Sequence, residues 1–91
     1  MAKIKVQVFG KVQGVFFRQT ARMQAQSLCL VGWVKNLSDG SVLCEAIGDK
    51  DSLLKFIDWC QQGPEKAAVN NVSVEWVEDD HPQIAGFCIV D

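Results

Sequence analysis

Histidine is nearly absent from this sequence, with His81 the sole example, and arginine occurs only twice, as Arg18 and Arg22. A single imidazole cannot build a histidine-rich metal site or a histidine-based nucleophile relay. Beside Pro82, His81 reads as a turn residue. No apolar run approaches the roughly 18–20 residues of a membrane span, and Met1 to Phe9 alternates lysine with valine where an export signal would carry an apolar stretch. The expectation is a cytoplasmic chain with no membrane partner. A basic surplus is also missing: the net charge is −2, which argues against the broad cationic face of a general nucleic-acid binder. Any anion site must be local. Close cysteine pairs are missing too, because Cys29, Cys44, Cys60 and Cys88 are 15, 16 and 28 positions apart. That spacing marks neither a zinc site nor a dithiol redox motif. The four read as reduced, buried thiols in an ordinary core, with a disulfide, which an even number permits, as the alternative.

What is present is enough for one core. A chain of 91 residues, 48% hydrophobic, buries roughly two-thirds of the surface its unfolded form exposes. It has no low-complexity segment or linker, so residues 1–91 read as one domain, expected to act as a monomer. It is too small for a second lobe around a large cofactor.

Along the chain, Lys3-Ile4-Lys5-Val6-Gln7-Val8 alternates with period two and predicts a first strand with Ile4, Val6 and Val8 on one face. Helical spacing then takes over. Phe17, Ala21, Ala25 and Leu28 form one stripe of a helix from about Phe17 to Cys29, whose polar face carries Gln19, Arg22 and Gln26. Val31 to Asn36 reads as a second strand, joined through Ser38-Asp39-Gly40 to a third over Ser41 to Ile47, with Val42, Cys44 and Ala46 on one face. A second helix begins near Asp49 to Ser52, where Asp or Ser can cap it. Its apolar stripe is Leu53, Leu54, Ile57, Trp59 and Cys60, and it ends at Gln62-Gly63-Pro64. Asn71 to Val77 reads as a fourth strand with Val72, Val74 and Trp76 inward, and Gly86 to Val90 as a short last strand after the turn at His81-Pro82. Strand, helix, strand, strand, helix, strand, with a fifth strand appended, predicts an α+β ferredoxin-like split βαβ sandwich. Two helices cover one face of a mostly antiparallel sheet.

The stretch Gly10-Lys11-Val12-Gln13-Gly14-Val15-Phe16-Phe17-Arg18 joins a strand to a helix through a loop with glycines at both ends. Backbone N–H groups of such a loop and of a helix start favour a phosphate or carboxylate. Arg18 adds a planar fork that engages two oxygens at once, at a place where the helix dipole disfavours a cation. An anion is the natural third member of that arrangement.

Gly10-Lys-Val-Gln-Gly-Val-Phe-Phe-Arg18 and Gly32-Trp-Val-Lys-Asn36-Leu-Ser-Asp-Gly40-Ser-Val42 together resemble the acylphosphatase family over essentially the whole chain. Leu37, where many members have a small polar residue, and the uncharged run Phe87-Cys88-Ile89-Val90 depart mildly from the family pattern. The resemblance implies the ferredoxin-like fold and hydrolysis of the carboxyl-phosphate bond of a small acyl phosphate, with inorganic phosphate or sulfate as competing anions. It also implies roles: Arg18 as the phosphate-binding arginine, Asn36 as the residue orienting the attacking water, and Lys11, Val12, Gln13, Gly14 and Val15 as the phosphate loop. The leaving group is a carboxylate, already a weak base, so departure needs little help from a general acid, and neither a cofactor nor a metal is expected.

Other chemistries fit the residues poorly. A cysteine phosphatase needs Cys-x5-Arg, but Lys35, Lys50 and Lys66 stand six positions beyond Cys29, Cys44 and Cys60. Glu78, Asp79 and Asp80 read as a solvated loop end, and Trp33, Trp59 and Trp76 as packing residues. An RNA-recognition sheet wants aromatics on its first and third strands, which here carry Lys3, Lys5, Gln7, Leu43, Glu45 and Ile47. The remaining alternative is a regulatory module that binds phosphate without turnover.

Overall fold

The computed structural model describes residues 1–78 and 85–90. Its elements are β1 (Ala2–Lys11), α1 (Phe17–Ser27), β2 (Val31–Asn36), β3 (Val42–Gly48), α2 (Lys50–Gln62), β4 (Ala68–Val77) and β5 (Phe87–Val90). The expected order is present. The five strands lie in the order β4-β1-β3-β2-β5, and every pairing is antiparallel except β2 with β5. This is the ferredoxin-like arrangement with a parallel strand added at one edge.

Alternation determines which face is covered. Ile4, Val6 and Val8 of β1, Val34 of β2, and Val42, Cys44 and Ala46 of β3 are all buried. Phe17, Ala21 and Ala25 of α1 and Leu53, Phe56 and Cys60 of α2 join them in one core cluster. Removing a side chain such as Phe56 from a core of this kind costs about 3–5 kcal/mol. An aromatic chain ties the two helices and the last strand together. Phe17 lies 5.1 Å from Trp59, and Phe56 lies 6.1 Å from Trp59 and 6.0 Å from Phe87, centroid to centroid. Because Phe17 precedes Arg18, its anchorage on α2 fixes the rotation of the first turn of α1.

Several expectations need correction. Helix α1 stops at Ser27, not Cys29, because Cys29 takes a left-handed conformation with φ 59°. Cys29 and Cys88 are exposed, and only Cys44 and Cys60 are buried. Strand β3 starts at Val42, and Ser41 belongs to the preceding turn. On α2 the buried stripe steps from Leu53 to Phe56 to Cys60, so Leu54 is turned outward and 43% exposed. Asp49 occupies the N-cap position of α2, yet its side chain makes no capping bond. Strand β4 begins three residues early, and Trp76, on the predicted face, is 46% exposed because β4 is an edge strand. The turn at His81-Pro82 and the acidic pair Asp79 and Asp80 lie outside the described residues.

Candidate active site

Strand β1 hands over to α1 through residues 12–16, and the geometry of that crossing is set by its backbone. Gly10 has φ 127°, and a Cβ there would strike the Ala68 carbonyl of β4. Lys11 is still part of β1, pairs with Ala68 and is exposed, so the loop proper starts one residue later than expected. Gly14 adopts φ 72°, and Phe16, at the N-cap of α1, adopts φ 64°. Thr20 N–H donates to the Phe16 carbonyl at 3.1 Å. The N–H groups of Phe17, Arg18 and Gln19 therefore stand ahead of the helical ladder. No acidic residue occupies the first turn of α1 to offset them.

These residues surround a cavity of about 210 Å³ lined by Val12, Gly14, Phe16, Phe17, Arg18, Gln19 and Asn36. That volume equals roughly seven waters at about 30 Å³ each. It has room for a phosphoryl group and a water. Asn36, the last residue of β2, also lines it. Its side-chain oxygen Oδ1 is buried with no hydrogen-bond partner among the described residues. An unsatisfied buried acceptor costs about 1–3 kcal/mol, a cost that a water or ligand donor in the cavity would remove.

Of the seven residues named from sequence, the structure brings Val12, Gly14, Arg18 and Asn36 to this cavity. Lys11, Gln13 and Val15 are not in its lining. Val15 is buried in the core. Gln13 turns sideways, and its Nε2 donates to the Leu37 carbonyl at 2.7 Å and the Ser41 carbonyl at 2.9 Å. It thus bolts the loop to the turn that follows Asn36. That turn is braced further: Ser41 donates its backbone N–H (2.9 Å) and its hydroxyl to Asp39 Oδ1, and Gln7 Nε2 donates to Ser41 Oγ at 2.9 Å. The hydroxyl bond, then the backbone bond, holds the Asp39 carboxyl below its usual range. Sequence reasoning missed Phe16, Phe17 and Gln19 as lining residues. The signal for Phe16 and Phe17 was their place between Gly14 and Arg18 in the same motif.

The comparison with known proteins settles the family. An acylphosphatase family model matches residues 4–89. The chain belongs to the acylphosphatase family. A curated acylphosphatase of Pelotomaculum thermopropionicum is 46% identical over 97% of this chain and 95% of its own length. Among solved structures, the Bacillus subtilis acylphosphatase superposes with a TM-score of 0.95 at 34% identity, covering all of both chains. The Coxiella burnetii acylphosphatase gives 0.90 at 44% identity, covering 98% of this chain and 92% of its own. Membership places this acylphosphatase among the hydrolases.

Proposed function

We propose that this acylphosphatase hydrolyses the carboxyl-phosphate bond of small acyl phosphates to a carboxylate and inorganic phosphate. The observation that carries the proposal is the meeting, in one small cavity, of Arg18, the start of α1 and the unpartnered Asn36 oxygen. Arg18 and the N–H groups of the loop and first helical turn neutralise and hold the three phosphoryl oxygens. The lining offers no carboxylate, imidazole or thiolate among the described residues. The reaction does not demand them. In a loose phosphoryl-transfer transition state the main requirements are in-line positioning and charge neutralisation.

Asn36 supplies the positioning. Its Oδ1 accepts a hydrogen bond from the attacking water, and its amide remains available as a donor. The water oxygen bonds to phosphorus as the bond from phosphorus to the carboxyl oxygen breaks. The electron pair of that bond leaves with the carboxylate, and the proton lost by the water passes to a phosphate oxygen. Neither a metal nor a cofactor enters this scheme, and phosphate or sulfate competes for the same cradle.

Benzoyl phosphate hydrolysis in the presence of a chelator tests the reading. The expected result is turnover well above the uncatalysed rate, with competitive inhibition by phosphate. Phosphate binding without turnover by the folded protein would instead leave a phosphate-binding regulatory module.

A further inference from the structure

We infer that Phe16 forms the acyl-side wall of the cavity and selects acyl phosphates with a flat, apolar acyl group over those with a small one. The inference rests on the acyl phosphate reading above and adds the class of acyl group. Three of the cavity-lining residues are large and apolar: Val12, Phe16 and Phe17. Val12 and Phe17 are buried in the core, whereas Phe16 is 64% exposed. Only Phe16 has apolar surface left to offer a ligand.

Its backbone strengthens the point. Phe16 holds a left-handed conformation, φ 64° and ψ 23°, which a bulky L-residue adopts at a cost and which glycine or asparagine adopts easily. Two residues earlier the chain uses Gly14 for a similar φ of 72°. The Phe16 carbonyl is fixed by two donors from Thr20, the backbone N–H at 3.1 Å and Oγ1 at 2.8 Å, so the residue is held in that conformation. A lone exposed phenylalanine needs no explanation. A strained one beside an anion cradle has a use: a phosphoryl group held by Arg18 and the helix start leaves its acyl end to meet the remaining lining. Strain of this kind is characteristic of ligand clamps.

The test compares benzoyl phosphate with acetyl phosphate, and the non-hydrolysable benzoylphosphonate with acetylphosphonate. Phe16→Asn and Phe16→Gly keep the left-handed backbone and remove the ring, Phe16→Tyr keeps the ring, and Met23→Ala is the control. Met23 is another exposed apolar residue, within α1, seven positions on and absent from the cavity lining. An aromatic contact worth its usual amount predicts that the benzoyl-to-acetyl ratio of kcat/KM falls roughly three- to tenfold in Phe16→Asn and Phe16→Gly. The ratio stays parental in Phe16→Tyr and Met23→Ala, and the phosphonate affinities follow the same pattern. An unchanged ratio in Phe16→Asn, or equal losses on both substrates, overturns the inference. If the parent hydrolyses neither acyl phosphate, the hydrolytic reading fails. The phosphonate affinity ratio then decides by itself whether Phe16 forms an apolar subsite.

Discussion

Among the described residues, Gln13 is the side chain that hydrogen-bonds the loop between β1 and α1 to the turn following Asn36, and replacing it with methionine isolates that link. Gln13→Met keeps the length and apolar stem of the side chain and removes its amide. Two bonds disappear, at 2.7 Å to the Leu37 carbonyl and 2.9 Å to the Ser41 carbonyl. Neither acceptor is orphaned, because the Leu37 carbonyl still receives Gly40 N–H at 3.2 Å and the Ser41 carbonyl still receives Leu37 N–H at 2.8 Å. The loss is therefore the net worth of two ordinary bonds, about 1–3 kcal/mol. For a domain of this size each kcal/mol moves Tm by roughly 4–8 °C. Urea unfolding should show a lower midpoint with an unchanged slope.

Activity supplies the second readout for Gln13→Met. Phe17 keeps its contact with Trp59 at the start of α1, while the turn after Asn36 loses its tie to the loop. On benzoyl phosphate kcat should therefore fall more than the inhibition constant for phosphate rises. A variant within about 0.5 kcal/mol of the parent and with parental kcat would refute the claim that this amide positions the site.

Two further predictions follow from the thiols and from the braced turn. Cys29 and Cys88 are exposed, while Cys44 and Cys60 are buried in the core; a hydrogen bond with Cys44, then burial, pushes the Cys60 thiol well above its usual range. A thiol reagent should modify two cysteines rapidly in the native reduced protein and four after denaturation, and four fast thiols would contradict this packing. The depressed Asp39 carboxyl contributes stability that is present above its unfolded pKa and is lost as pH falls through its folded value. The difference in Tm between the parent and Asp39→Asn should therefore shrink only below about pH 4, and a pH-independent difference would count against the brace.

Elements whose character is local were legible in the sequence. Ile4, Val6 and Val8 alternate over enough residues to fix both the strand and its covered face, and Phe17, Ala21 and Ala25 do the same for α1. Depth was not legible. Alternation assigns Trp76 to the same face as Val74, but its exposure depends on β4 lying at the sheet edge, which is decided by pairing with β1 far away in sequence. Leu54 failed for a related reason: with apolar residues at 53, 54, 56 and 57 the helix can bury more than one stripe, and the Phe56–Trp59–Phe17 cluster chooses the rotation. At the site, Arg18, Asn36, Val12 and Gly14 could be read from two motifs. The sideways turn of Gln13 could not, since its acceptors are carbonyls 24 and 28 residues away. The outward turn of Phe16 depends on a backbone angle that no side-chain pattern records.

The central claim, that Arg18 holds the phosphate and Asn36 orients the water, is tested most directly by measuring kcat and the phosphate inhibition constant together in Arg18→Gln and Asn36→Ala. The substrate is benzoyl phosphate, with chelator present. The account predicts that Asn36→Ala lowers kcat by about 10²–10³-fold while phosphate inhibits it much as it does the parent. Arg18→Gln should lose activity and weaken phosphate inhibition more than about tenfold, as expected when a charge-assisted fork is removed. Parental kcat in folded Asn36→Ala, or undiminished phosphate inhibition in folded Arg18→Gln, would contradict it.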